Sequence, residues 1–347
     1  MKLPVLLMIF TLSIAGKGLS QGCVAIRNVG GISPDLLFDN IKPDEKIIVN
    51  ITNRYFEASK SFKGDKFWSD TLVTNRIYTL NISLLRLLKN GWSIGLNLPI
   101  SANSRTNGAD HKGPLSYPKY TTRSFGLGDI RVAVYKWLFD AAKSKKGNIQ
   151  LGIGLKLPTG DYRYEDYFVR NDTTKLIAPV DQAIQLGDGG TGITAELNAF
   201  YTIARMVNLY AQGFYLLNPR EHNGVSNLKG RAPTPAQLTN GTTVMSVPDQ
   251  FSFRCGANIQ VRTIVVTAGI RYEKVPENDL VGGNKGFRRA ASITSAETGL
   301  TYKMRNALGF ITVGIPFKRN IIQNTENDMT PAGFANVIFT GGVSFKL

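Results

Sequence analysis

Ile149-Gln150-Leu151-Gly152-Ile153-Gly154-Leu155-Lys156-Leu157 decides the fold. Every odd-numbered residue in this run is aliphatic, and every even-numbered one is small or polar. Side chains of an extended chain point alternately to opposite faces, so the run makes a strand with one greasy face and one hydrophilic face. Its length is close to the roughly 9–11 residues a tilted strand needs to cross a bilayer. Strands of soluble sandwiches are typically nearer about 5–6 residues.

The same period recurs along the chain. Trp92, Ile94, Leu96, Leu98 and Ile100 oppose Ser93, Gly95, Asn97 and Ser101. Phe251, Phe253, Cys255, Ala257, Ile259 and Val261 oppose Ser252, Arg254, Gly256, Asn258, Gln260 and Arg262. In all, about twelve strands are expected, over 47–57, 75–88, 91–101, 124–139, 147–158, 191–205, 208–218, 250–262, 264–274, 292–304, 306–317 and 335–347. Tight connections (Lys89-Asn90, Asp140 to Lys146, Met206-Val207, Thr263, Arg305) alternate with long ones (58–74, 102–123, 159–190, 219–249, 275–291, 318–334). That is the plan of an all-β, transmembrane, antiparallel up-and-down β-barrel, with short periplasmic turns and long outer loops. No stretch beyond the N-terminus is apolar enough for a spanning helix. Entry into a membrane therefore requires a closed sheet, because an open edge leaves unpaired backbone groups in hydrocarbon.

Both ends of the chain fit export to a bacterial outer membrane. Met1-Lys2, the apolar run Pro4 to Ala15 and the small-residue site Gly18-Leu19-Ser20 have the layout of a secretory signal peptide over 1–20, cleaved after Ser20. The final strand alternates Val337, Phe339, Val343, Phe345 and Leu347 with Ile338, Gly342, Ser344 and Lys346. Such a terminus resembles the signal read by the barrel-assembly machinery. Residues 21–46, with Gly30-Gly31, Pro34 and Pro43, form either a periplasmic lead or a plug anchored by Leu36-Leu37-Phe38. Cys23 and Cys255 are too few for a disulfide scaffold and are either paired or free.

The chain carries a formal charge of +16. Such a basic excess suits lipid head groups, lipopolysaccharide phosphates or anionic solutes; export argues against nucleic acid as the partner. Hydrolase chemistry finds little support. The two histidines, His111 and His222, fall in expected outer loops, and neither sits beside a serine in the arrangement of a Ser–His pair. No metal or cofactor site is expected. Asp188-Gly189-Gly190 and Gly282-Gly283 read as turns rather than as phosphate or calcium loops.

With the apolar face toward lipid, the inner face receives Arg54, Asp129, Arg131, Lys156, Glu196, Arg254, Gln260, Arg271, Glu273, Glu297 and Lys303. These are the candidate lumen-lining residues. They define either a polar, slightly basic conduit or an ion-pair network that fills a narrow barrel. Trp92 and Trp137 are expected at the periplasmic rim as interfacial aromatics, although Trp137 is out of phase with Ile130, Val132 and Val134. Tyr162, Tyr164, Tyr167 and Phe168 either line a solute entrance or pack their loop against itself.

Phe125-Gly126-Leu127-Gly128-Asp129-Ile130 and Leu155-Lys156-Leu157-Pro158-Thr159-Gly160-Asp161 resemble the outer-membrane transporter family labelled as phenol-degradation meta-pathway proteins. Its members look like relatives of the long-chain fatty-acid channel barrels. Asn53-Arg54-Tyr55-Phe56 and the Ser20-Gln21 cleavage region are similar to versions from Bacteroidetes. The resemblance implies a barrel and transport, and transfers no catalytic residue. The expected function is a passive outer-membrane channel or transporter for small solutes, hydrophobic or aromatic ones among them. Alternatives from other classes are a structural or partner-binding barrel and, further off, a lipid hydrolase or a soluble secreted sandwich.

Overall fold

The computed structural model describes residues 46–69, 73–107, 110–111, 120–140, 144, 146–321 and 332–347. The expected signal peptide and the lead or plug segment 21–46, except Lys46, lie outside them. The strands are β1 Ile47–Ala58, β2 Thr74–Leu87, β3 Trp92–Thr106, β4 in two pieces (Thr121–Leu127 and Arg131–Trp137), β5 Gly147–Lys156, β6 Gly192–Ala204, β7 Val207–Leu217, β8 Gln250–Val261, β9 Ile264–Val275, β10 Ala291–Lys303, β11 Ala307–Ile321 and β12 Ile338–Lys346. Each pairs antiparallel with the next in sequence, and β12 pairs with β1 from Ile48↔Lys346 to Phe56↔Ile338, so the sheet closes. The result is a twelve-stranded antiparallel β-barrel. Lys46 and Ile47 donate their backbone N–H groups to Leu347 O at 2.7 and 2.9 Å, so β1 starts where β12 ends.

Alternation sets the two faces. Outward residues such as Phe125 (69% exposed) and Ile153 (65%) contrast with inward Arg254 (1%) and Glu273 (0%). Leu84, Ile94, Val134, Leu151, Ile270, Ile311 and Phe339, from strands around the ring, belong to the exposed apolar surface. In water such a surface would be a liability far beyond that of an ordinary monomer; in a bilayer it is the lipid contact. The closed sheet and this outer face make the protein a bacterial outer-membrane β-barrel.

Strand β4 departs from the expected single run over 124–139. Before the interruption Thr122 and Ser124 are buried while Phe125 and Leu127 are exposed; after it Arg131 and Ala133 are buried while Val132 and Val134 are exposed. The alternation slips by one residue across Gly128-Asp129-Ile130. The slip turns Trp137 inward, where it is buried and meets Phe200 edge-on at 5.9 Å. Trp137 thus ends its strand beside the short turn, as expected, and its out-of-phase position is explained: it faces inward, not lipid. Trp92 is exposed, and the Lys136 ammonium lies 5.1 Å from its ring. The backbone groups freed by the slip are recovered by one hydroxyl: Ile130 N donates to Thr159 Oγ1 at 2.8 Å, and Thr159 Oγ1 donates to Gly128 O at 2.9 Å. Backbone groups stranded in a wall without such partners would be costly.

The long connections carry their own small structures: paired strands Glu165–Val169 and Lys175–Pro179, paired strands His222–Ser226 and Val244–Ser246 flanking a short helix α1 (Pro235–Thr239), and a three-stranded patch of Lys60–Lys63, Lys66–Ser69 and Ala332–Phe334.

Candidate functional site

Register builds the interior row by row. Gln150 on β5 faces Asn198 on β6, which faces Gln212 on β7, then Arg254 on β8 and Arg271 on β9. A second row runs Lys156, Arg131, Asn97, Ser83 and Asn50 across β5, β4, β3, β2 and β1. Directly opposed like charges repel, so the pairs Arg254–Arg271 and Arg131–Lys156 need acids between them. Glu297 lies 2.8 Å from Arg254 and 4.0 Å from Arg271, and Glu273 lies 2.9 Å from Arg271. Glu196 takes Arg131 and also accepts from Tyr135 Oη at 3.2 Å. Arg54 reaches from β1 to Glu273 on β9 at 3.4 Å, so this ion pair crosses the interior rather than following the wall.

Of the candidate lumen-lining residues, Arg54, Arg131, Glu196, Arg254, Arg271, Glu273 and Glu297 form these middle-height networks. Asp129 lies in the β4 interruption and pairs with Lys156 at 3.6 Å. Lys303 and Gln260 stand apart at the periplasmic end, where Lys303 Nζ donates to Gln260 Oε1 at 2.6 Å in an exposed pair. Below the charges, Asn50, Ser83, Asn97, Gln150, Asn198 and Gln212 line a chamber of about 150 Å³. Lower still the inward residues are apolar: Ile48, Leu85, Trp137, Val265 and Leu308. The interior is thus layered rather than uniformly polar.

The outer end holds a feature absent from the sequence-based expectation. Part of the connection 159–190 folds inward. Val180 and Ile184 are fully buried against Phe56, Ile77 and Ile338, inward residues of β1, β2 and β12, with Ala335 and Tyr164 alongside. Full burial of one such aliphatic side chain is worth about 2 kcal/mol. Ile184 O accepts from Asn103 Nδ2 at 3.3 Å and also from Ser124 Oγ. The segment therefore sits inside the mouth. Its anchors are the two quoted motifs. Asp129 accepts from Gly160 N at 3.0 Å and from Asp188 N at 3.1 Å, and Lys156 pairs with Asp188. A Cβ at Gly160 would lie 2.8 Å from Leu186 O, and one at Gly187 would meet Asp129 Oδ1 and lie 2.7 Å from Gly160 O. Only glycine permits that approach.

A second anchor lies above. Asp181 contacts Lys229 and Arg289 at 2.9 Å each and Arg105 at 3.7 Å, while Asp110 takes Arg105 and Lys229 at 2.8 Å each. Burial alone would raise the Asp110 carboxyl, but Arg105 and Lys229 overcome it and hold it below the usual carboxylate range. Asp181 is held well down in the same way, by Arg105, Arg289 and Lys229 against burial. His111 accepts from Val169 N at 3.0 Å through Nδ1 and packs against Tyr120 and Phe168. Burial, with the Arg170 charge adding, lowers its pKa to about 4, the Asp110 charge opposing. His222 is exposed in its loop strand. Tyr164 and Phe168 pack inward, whereas Tyr167 is exposed. Among the described residues no group of three or more His, Cys, Asp or Glu is placed to hold a metal ion.

Sequence reading did not single out Asp110, Asp181, Lys229 and Arg289, nor the amide row. Val180, Ile184 and Leu186 were a legible signal, being aliphatic residues spaced through a stretch assigned to loop.

Comparison with known proteins follows the fold. No protein-family model and no curated protein matches the chain. Among solved structures, an outer-membrane channel from Pseudomonas putida F1 is similar at TM-score 0.61 and 12% identity, covering 91% of this chain and 100% of that one. The β domain of a Bordetella autotransporter gives TM-score 0.45 at 12% identity over 88% of this chain and 100% of that one. A Pseudomonas aeruginosa FadL homologue gives 0.42 at 7% identity over 87% of this chain and 90% of that one. The first likeness supports the barrel fold; the other two are too distant to carry an argument.

Proposed function

We propose that this protein is a passive outer-membrane channel for small solutes with an apolar body, closed in the state described by its own inward-folded segment 180–188. The observation that carries this is the manner of closure. The mouth holds a separate stretch of loop, docked on an apolar patch of the wall and on two polar anchors. A barrel meant only as a scaffold has no need of a removable stopper. The apolar patch of Phe56, Ile77 and Ile338, once uncovered, offers an entering solute a greasy surface. A non-enzymatic role is part of this proposal, as is membership of the phenol-degradation meta-pathway type of transporter in its Bacteroidetes form. So are the signal peptide over 1–20, the lead over 21–46, assembly by the barrel-assembly machinery, and contact with lipid and lipopolysaccharide.

Reconstitution into planar bilayers tests the reading. The expected result is low or intermittent conductance that rises when segment 181–187 is replaced by a Gly-Ser linker. A silent bilayer for both proteins would overturn it in favour of a structural barrel.

A further inference from the structure

We propose that the chamber beneath the charged layer is a binding subsite for a small neutral solute that presents both a hydrogen-bond donor and an acceptor, such as a primary amide or an alcohol on a single ring. The proposal rests on the channel reading for its route of access and on three observations for its chemistry.

The first is a directed chain of hydrogen bonds. Arg254 Nη1 donates to Gln212 Oε1 at 2.7 Å, Gln212 Nε2 donates to Asn198 Oδ1 at 3.2 Å, and Asn198 Nδ2 donates to Gln150 Oε1 at 3.1 Å. Every amide in the row points the same way, because the guanidinium at its head can only donate. The chain ends on Gln150 Nε2, a buried donor with no protein partner among the described residues. Aligned hydrogen bonds polarise one another, so this last N–H is a stronger donor than an isolated amide.

The second is the complementary wall. Asn97 donates to Ser83 Oγ at 2.8 Å, which leaves Asn97 Oδ1 as a buried acceptor without a partner among the described residues, as is Asn50 Oδ1 on the same row. Asn97 and Gln150 are 7% and 2% exposed. One chamber therefore offers an enhanced donor on one wall and two acceptors on the other. The third is charge. Glu196 and Arg131 both border the chamber and neutralise each other, so neither an anion nor a cation finds an unmatched countercharge there. The volume of about 150 Å³ is the size that holds one benzene ring in an apolar cavity. Water can satisfy the same atoms one at a time. A solute gains over water by meeting donor and acceptors together from a rigid frame.

Benzamide, benzyl alcohol and toluene are the probes, with purified full-length protein in detergent. Trp137 faces inward beside Gln150 on the adjacent strand, so with Trp68 and Trp92 replaced by Phe its fluorescence reports occupancy. Benzamide and benzyl alcohol should bind at least about tenfold more tightly than toluene, since a site built to hydrogen-bond rejects the analogue that lacks the group. Gln150→Met and Asn97→Leu should each remove that preference while leaving toluene binding within about twofold, as truncating one partner strands the other. A heat-shifted gel band checks that each variant is a folded barrel, and Asn97→Ser is the milder substitution should Leu prevent folding. Equal affinity for the three probes, or a preference that survives Gln150→Met in a folded protein, overturns the subsite. Bilayer conductance on the same preparations separates the two readings. Equal binding of the three probes by the unmutated protein with conductance intact defeats the subsite alone; discrimination without conductance defeats the channel alone.

Discussion

The two ends of the barrel narrow by different means. At the periplasmic end the inward groups Ile48, Leu85, Trp137, Val265 and Leu308 grow from the strands themselves. They cannot leave without unpairing a closed ladder. At the outer end the obstructing groups, Val180 and Ile184, belong to a separate stretch of chain lodged in the mouth. That stretch can leave at the cost of its own contacts alone, a local opening far short of unfolding the barrel. Motion that opens the passage therefore belongs to the outer end, and selection by fixed groups belongs to the inner half.

Gly187→Val should separate the two ends most strongly. The added side chain has no room against Asp129 and Gly160, and an overpacked site of this kind costs about 1–3 kcal/mol or more. The outer segment is expected to undock, with bilayer conductance rising to that of the linker replacement and barrel heat stability nearly unchanged. Equal loss of both would show that the segment and the wall are one cooperative unit.

Asp181→Asn comes next. It removes the acid that Arg105, Lys229 and Arg289 share, leaving Asp110 to hold Arg105 and Lys229. Removing one partner of a buried pair costs about 3–5 kcal/mol, which here loosens the outer anchor. Hydrogen exchange should quicken over 176–188 and stay slow in β8 to β10.

Acid should act in the same direction, more gently. His111, next to Asp110 of the outer anchor, is held to about 4 in the fold and would titrate near its ordinary value of about 6.5 if opening of that anchor exposed it to water. Between those values the released form binds more protons, so docking weakens as pH falls from about 6.5 toward 4. Asp110 and Asp181, depressed in the fold, keep their contribution until the pH drops below the ordinary carboxylate value of about 3.9. Open probability in bilayers should climb in those two stages, and His111→Phe should remove the first. The smallest effect is expected at the other end. Lys303→Ala deletes an exposed contact to Gln260 and should change stability by less than about 1 kcal/mol, with conductance unaltered.

The wall was legible in the sequence because it depends on alternation, which any strand displays in its own residues. Ile149 to Leu157 needs no partner to show which face meets lipid. Even the interruption of β4 left a trace, with Phe125 and Leu127 in one phase and Val132 and Val134 in the other. The inserted segment showed only its aliphatic residues Val180, Ile184 and Leu186; its polar anchors were not legible. Asp181 is tied to Lys229, Arg289 and Arg105, far apart along the chain and brought together only once the barrel has closed. The amide row falls between these cases. Gln150 and Asn97 were visibly on the hydrophilic face, but their alignment with Asn198, Gln212 and Ser83 is a matter of register.

The Thr159 hydroxyl that mends the gap in β4 sits one residue before Gly160, the glycine that receives the inserted loop. Repair of the stave and seating of the stopper are thus encoded in a single short span. Grafting the stopper alone onto another cylinder would leave it without a seat, and smoothing the stave would evict it. The two are inherited or lost as one module.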